Sequence, residues 1–257
     1  MSEKYHGKGS FKPYPLGWKA KIGILVPSHD TGYGPYEYRK LCPDGVVTLE
    51  TRVMGGRLTV EMLQNMRKDA LYGAELLAKA NPDVISFIPT AACFVMGVEE
   101  EKALLEQMES RTGIKAVSGG SSVAEALRFL GAKKMSMYVP TNEEVTQITV
   151  KYFEDQGFEV CAYDSMYEEN EENINRMSPQ EIYANILKLY KRCPEVDGIF
   201  ITGGCFRTLE VLEILERDTG IPMVTTTPAN MFRCLQVVGV NDPIIGFGQL
   251  LEKDRLS

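Results

Sequence analysis

Short apolar runs closed by proline or glycine alternate along the chain with stretches whose apolar positions recur every three or four residues. Ile22-Gly23-Ile24-Leu25-Val26, closed by Pro27, is the first such run and predicts a buried parallel strand. A more polar segment follows, and Val46-Val47-Thr48-Leu49 predicts a second strand. Met62, Met66, Ala70, Leu71, Ala74, Leu77 and Ala78 trace one long helix with Thr59 as its N-cap. Val84 to Ile88 predicts a strand stopped by Pro89, with a helix from about Gly97 to Ser110. Ala116-Val117 is a short strand, and Ser122-Val123-Ala124-Glu125 reads as a capping box opening the next helix. The rhythm then restarts. Met135 to Val139 is a strand closed by Pro140, and Thr141 or Asn142 caps a helix running to Gly157. Val160 to Tyr163 is a strand, and Ser178-Pro179-Gln180-Glu181 opens a helix. Gly198 to Ile201 and Met223-Val224 are strands, Leu209 to Arg217 is helical, and a last helix follows Pro228. Strands alternating with helices imply parallel sheets covered on both faces.

The restart is a repeat. Val26-Pro27-Ser28-His29-Asp30 matches Val139-Pro140-Thr141-Asn142-Glu143. Thr90-Ala91-Ala92-Cys93-Phe94 matches Thr202-Gly203-Gly204-Cys205-Phe206, and Arg111-Thr112-Gly113-Ile114 matches Asp218-Thr219-Gly220-Ile221. Three matches in order, at nearly constant spacing, argue for duplication. The expected fold is α/β: two flavodoxin-like, doubly wound parallel-sheet subdomains related by a pseudo-twofold axis. The expected organisation is an N-terminal arm over 1–17, a first subdomain over 18–130 and a second over 131–235. A closing segment over 236–257 is expected to pack back on the first. The arm is expected on the surface or against a partner subunit, which leaves a homo-oligomer open.

Composition narrows the function classes. The 257 residues carry a formal net charge of −7, which disfavours nucleic acid and anionic membrane as partners. Apolar runs fall short of a membrane span, and residues 1–15 lack the apolar core of a secretory signal. A cytoplasmic setting is therefore expected. The six cysteines are scattered without a CxxC pair and read as reduced thiols, not as a zinc site. P-loop, HExxH and strand-following GxGxxG patterns are all missing, so nucleotide and metal chemistry are not expected.

Ligands of open parallel sheets bind beyond the carboxyl ends of the strands. Both TxxCF segments follow such ends, so facing halves would set Cys93 and Cys205 on opposite walls of one cleft. A thiolate can take a proton from carbon and a thiol can return one; a thiolate can also add to an activated double bond. Both cysteines are expected just before helices, whose N-termini favour anions. Around them Pro27, Ser28, Thr90, Ala91, Thr141, Asn142, Thr202, Gly203 and Gly204 are the expected substrate-binding residues. The hydroxyl-rich segments Ser118 to Ser122 and Thr225-Thr226-Thr227 add N–H and O–H donors suited to carboxylates or phosphates. His29 reads either as a base or as a polar cap, since its repeat partner is Asn142. Cys42, Cys161, Cys193 and Cys234 read as small buried apolar residues. The acidic run Glu168 to Glu172 reads as a solvated loop, and Met135 to Met137 as core strand.

Several of these segments resemble the aspartate/glutamate racemase superfamily, in the branch of maleate cis-trans isomerases and arylmalonate decarboxylases. They are the opening Ile22 to Pro27, the Thr90 and Thr202 segments, Thr219-Gly220-Ile221-Pro222 leading to Thr227-Pro228-Ala229, and Gly246-Phe247-Gly248-Gln249-Leu250. The likeness runs from about Ile22 to Leu251. It implies a cofactor-independent enzyme acting on a small carboxylic acid. Two cysteines imply isomerase or racemase chemistry; one implies a decarboxylase. In the family the cysteine lies closer to the strand end, where Ala91 and Gly203 come nearest in this chain. Thr141 stands where a carboxylate-binding Tyr is common, and Thr146 where Asn is common. A carboxylate-binding protein without turnover is the alternative of another class.

Overall fold

In the computed structural model, residues 14–204 and 206–256 are described. The strands are β1 (Ala20–Pro27), β2 (Val46–Val53), β3 (Val84–Phe87), β4 (Lys115–Ser118), β5 (Lys134–Val139), β6 (Glu159–Ser165), β7 (Gly198–Ile201) and β8 (Met223–Thr225). They form two four-stranded parallel sheets, ordered β2-β1-β3-β4 and β6-β5-β7-β8. The two orders are the same order one repeat apart, which is the duplication seen as topology. The central strands are buried throughout: Ile22, Ile24, Leu25 and Val26 of β1 and all of β3 and β7. That is why they read as continuous apolar runs rather than alternating ones. Met135 and Met137 are core, as expected.

The helices are α1 (Tyr33–Leu41), α2 (Val60–Asn65), α3 (Arg67–Ala78), α4 (Thr90–Thr112), α5 (Gly119–Phe129), α6 (Glu143–Glu154), α7 (Glu171–Asn175), α8 (Pro179–Arg192), α9 (Leu212–Thr219), α10 (Thr226–Val237) and α11 (Gln249–Glu252). Several caps match expectation. Thr59 accepts from Met62 N–H, Asn142 accepts from Val145 N–H, and Ser178 with Glu181 forms a full capping box.

Other expectations are corrected. The single helix from Thr59 to Ala78 is two helices meeting at Met66. The helix expected from Gly97 begins at Thr90, with Gly97 at φ +75 breaking it inside. The Ser122–Glu125 capping box does not open α5. That helix starts at Gly119, and the Ser122 hydroxyl donates back to Ser118 O at 2.5 Å. The polar segment after β1 contains α1, and the acidic run contains α7, capped by Asn170. Cys161 and Cys193 are joined in a disulfide between β6 and the end of α8, with Cα atoms 6.3 Å apart. The expectation of six reduced thiols is corrected at these two. The thiols among the described residues are Cys42, Cys93 and Cys234.

The two halves interlock through buried polar groups as well as apolar ones. α10 follows the last strand of the second sheet yet packs on α1, α5, β3 and β4 of the first. There Asn230 accepts from Tyr38 Oη at 2.6 Å and from Ser86 Oγ at 2.7 Å, and donates to Ser122 Oγ at 3.1 Å. The second tie is Glu101 of α4, 2% exposed. It accepts from Tyr152 Oη of α6 at 2.5 Å, Ser118 Oγ at 2.5 Å and Ser121 N–H at 2.9 Å. Asn230, and the Glu101 Oε2 that Tyr152 serves, are satisfied only when both halves are in place, and an orphaned group costs about 1–3 kcal/mol. The closing residues also bind both halves. Lys19 pairs with Asp242 at 2.5 Å, and Gln249 N–H donates to Glu216 at 2.8 Å. No helix of the described residues is long and apolar enough to cross a membrane.

The packing around Glu101 makes a specific demand on Gly120. A Cβ there would lie 2.6 Å from Cys93 Cβ, 2.7 Å from Glu101 Oε1 and 2.9 Å from Tyr152 Oη. Gly120→Ala is expected to lower the free energy of unfolding in urea by about 1–3 kcal/mol. An unchanged midpoint and slope would contradict this packing.

Candidate active site

Five strands direct their carboxyl ends at one cavity of about 70 Å³ between the sheets. A single water centre needs about 10–15 Å³, so the space suits a small organic molecule. β1 leads to Pro27, His29 and Asp30; β3 leads to Pro89, Thr90, Ala91 and Ala92. From the second half come Pro140 and Thr141 after β5, Thr202, Gly203 and Gly204 after β7, and Thr226 and Thr227 after β8. Leu58, with Leu63 and Met66 from α2 and its end, joins Ile88, Phe94 and Val139 in an apolar wall. The cavity is thus polar where strands end and greasy on the side of α2.

Pro27, Thr90, Ala91, Thr141, Thr202, Gly203 and Gly204 of the expected binding set all line this cavity. Ser28 and Asn142 do not. The Ser28 side chain is exposed and accepts from Gly55 N–H at 3.0 Å. Asn142 is occupied as the cap of α6 and donates to Glu169 Oε1 at 2.8 Å, across to the loop after β6.

The hydroxyl protons have identifiable directions. Thr90 donates to Ile88 O at 3.1 Å. Thr226 accepts from Gly203 N–H at 3.3 Å, so its own proton is available to a ligand. Asp30 is held open by its own turn, accepting from Gly32 N–H at 2.6 Å and Gly34 N–H at 3.2 Å. Gly34 must be glycine, since a Cβ would strike the Asp30 carboxylate at 2.5 Å.

Cys93 takes a different place from the one expected. Cys93 does not precede a helix; it lies in the first turn of α4, and its N–H donates to Pro89 O at 3.2 Å. Two residues along a helix turn a side chain by about 200°. Ala91 therefore faces the cavity while Cys93, fully buried, faces Glu101 and Gly120. Burial, and next the Glu101 carboxylate, push its thiol well above the usual value. A thiol so placed has little thiolate to offer. Cys205 lies outside the described residues; its neighbour Gly204 lines the cavity and Phe206 is buried.

A family model described as arylmalonate decarboxylase matches residues 22–251. The chain belongs to this arylmalonate decarboxylase family. The arylmalonate decarboxylase of Bordetella bronchiseptica is 22% identical over 233 residues, covering 90% of this chain and 96% of the relative. A maleate isomerase of Nocardia farcinica is 25% identical over 185 residues, 69% of this chain and 72% of the relative. Among solved structures, a Nocardia farcinica maleate cis-trans isomerase with a covalently bound succinylcysteine intermediate superposes with a TM-score of 0.84. It is 23% identical, with 91% of this chain and 99% of that one covered. A liganded mutant of arylmalonate decarboxylase superposes at 0.85 with 22% identity, covering 91% and 99%. The fold is that of both enzymes, and the family is enzymatic.

Within this family fold, sequence reasoning missed the contribution of α1. Glu37 on that helix is 1% exposed. Burial pushes its carboxyl up to about 8, against the pull of Thr227, the Leu209 N–H and Lys40. The folded chain therefore keeps this proton at pH values where the unfolded chain has released it, so folding stability falls as pH rises between those limits. Glu37→Gln removes that penalty. Its stability relative to wild type is expected to improve steadily from pH 4.5 to about pH 8, read by urea unfolding across that range. A difference that does not change with pH would contradict the assignment.

Proposed function

We propose that this chain is a cofactor-independent decarboxylase of a substituted malonate, with Cys205 as its single proton-donating thiol. The observation that carries the reading is the burial of Cys93 in the core, which leaves Cys205, next in the chain to the cavity-lining Gly204, as the remaining candidate of the repeated pair. The family match supports a small acid as substrate. The apolar wall of Leu58, Leu63, Met66 and Phe94 supports a substrate with one greasy substituent.

The chemistry balances with the groups at hand. The bond between the α-carbon and one carboxylate breaks, carbon dioxide leaves, and the electron pair stays on the α-carbon as an enediolate. The Thr226 hydroxyl and the Gly204 N–H are suited to hold the remaining carboxylate as its charge grows. The Cys205 S–H then gives its proton to carbon, and the thiolate is reprotonated from solvent.

The repeated TxxCF favours a second reading: an isomerase or racemase in which Cys93 and Cys205 act from both faces. Cys93 would have to leave its core position for that. Turnover of phenylmalonate and maleate by two single variants separates the readings. For the decarboxylase, Cys205→Ser is expected to lose activity by at least about 100-fold while Cys93→Ser stays within about threefold. Carbon dioxide is released from phenylmalonate and no fumarate appears from maleate. Loss of maleate isomerisation in both variants would establish the two-thiol enzyme instead. Binding of either acid by wild type without turnover would refute both.

A further inference from the structure

The fold gives no structural use for Glu37. Both its carboxyl oxygens are shut off from solvent, and neither makes a hydrogen bond of good geometry. The polar groups within reach are the Thr227 hydroxyl, from the first turn of α10, and the Leu209 N–H, ahead of α9. Buried carboxyls are normally paired or fully hydrogen-bonded, because an isolated one is costly. Thr227 lines the cavity. Glu37 therefore sits one hydroxyl away from whatever the cavity holds.

A threonine hydroxyl has one proton and two lone pairs, so its two contacts are linked. When Glu37 is protonated it can donate to Thr227, and the Thr227 proton is then free to point into the cavity. When Glu37 is ionised it must accept, so it draws the Thr227 proton away and leaves lone pairs towards the ligand. It also adds a negative charge beside Asp30. We infer that Glu37 is a positioning residue that, in its protonated form, turns the Thr227 hydroxyl into a donor for a ligand carboxylate. This rests on the reading that the cavity takes a small carboxylic acid.

The charges around Glu37 are consistent with such a role. Asp30, on the turn before α1, opposes its ionisation, while Lys40 on α1 favours it more weakly than burial disfavours it. Tyr33 and Tyr38 flank it on the same helix, and both phenols are held neutral chiefly by burial. From α10 the Thr227 hydroxyl faces it, and from the segment before α9 the Leu209 N–H. The upward shift to about 8 sets where the donor is lost.

Calorimetric titration of the full chain with phenylmalonate and with maleate, at about pH 7.5 and about pH 9.5, tests this. Wild type is expected to bind at least about tenfold more weakly at the higher pH, as the competent protonated form is depleted. Glu37→Gln, whose amide donates to Thr227 at every pH, should hold its affinity within about twofold. Thr227→Val should bind weakly at both pH values, without the slope. A flat wild type, or a Glu37→Gln variant keeping the wild-type slope, overturns the inference. If Glu37→Gln fails to fold, Thr227→Val decides: a wild-type slope in that variant overturns it. Failure of wild type to bind either acid at pH 7.5 instead removes the carboxylate reading, and this inference with it.

Discussion

A parallel strand that ends leaves its next backbone groups outside the ladder, and in this protein five such ends are aimed at the same small space. Four are followed at once by serine, proline or threonine, and β3 by Ile88 and then Pro89; the prolines turn the chain and the hydroxyls supply donors. The constraint is mutual. The first sheet alone would leave Thr90 and Asp30 facing solvent, and the second alone would do so for Thr202 and Thr226. Only the interlocked pair encloses a cavity. The buried ties at Asn230 and Glu101 therefore stabilise the fold and shape the site together. A cavity at the seam between repeats gains two sets of donors from one structural solution.

The same seam separates two acidic groups by their surroundings. Asp30 is served by two N–H groups of its own turn, in contact with the cavity. Glu37 is two turns on, without such service and fully buried. Burial without partners raises the Glu37 carboxyl, so it keeps its proton where an exposed one would not.

Much of the fold was legible in the chain because buried parallel strands must be apolar throughout. Met135-Ser136-Met137-Tyr138-Val139 could hardly be anything else. The repeat made the strand ends, and hence Thr90, Thr202 and Gly203 of the cavity lining, legible. Helix α1 was not, because it begins at left-handed Gly32 without a side-chain cap and carries Gly34, Pro35 and three tyrosines where a regular apolar stripe is expected. Glu37 and Tyr38 were lost with it. Cys93 was misplaced for a related reason. Thr90 to Phe94 looks like a loop after a strand, but it folds as the first turn of α4, and helical geometry then carries the thiol to the far side. The disulfide between Cys161 and Cys193 has no sequence signature, since it depends on β6 meeting the end of α8. A pairing set by tertiary approach is invisible to spacing.

The central claim is that the strand ends of both halves hold one small carboxylic acid between them. A crystal structure of the chain grown with phenylmalonate tests it most directly. The account predicts one carboxylate against the Thr226 hydroxyl and the turn at Gly203 and Gly204, with the ring against Leu63 and Met66. An acid bound elsewhere on the molecule, with this cavity holding only water, would contradict it.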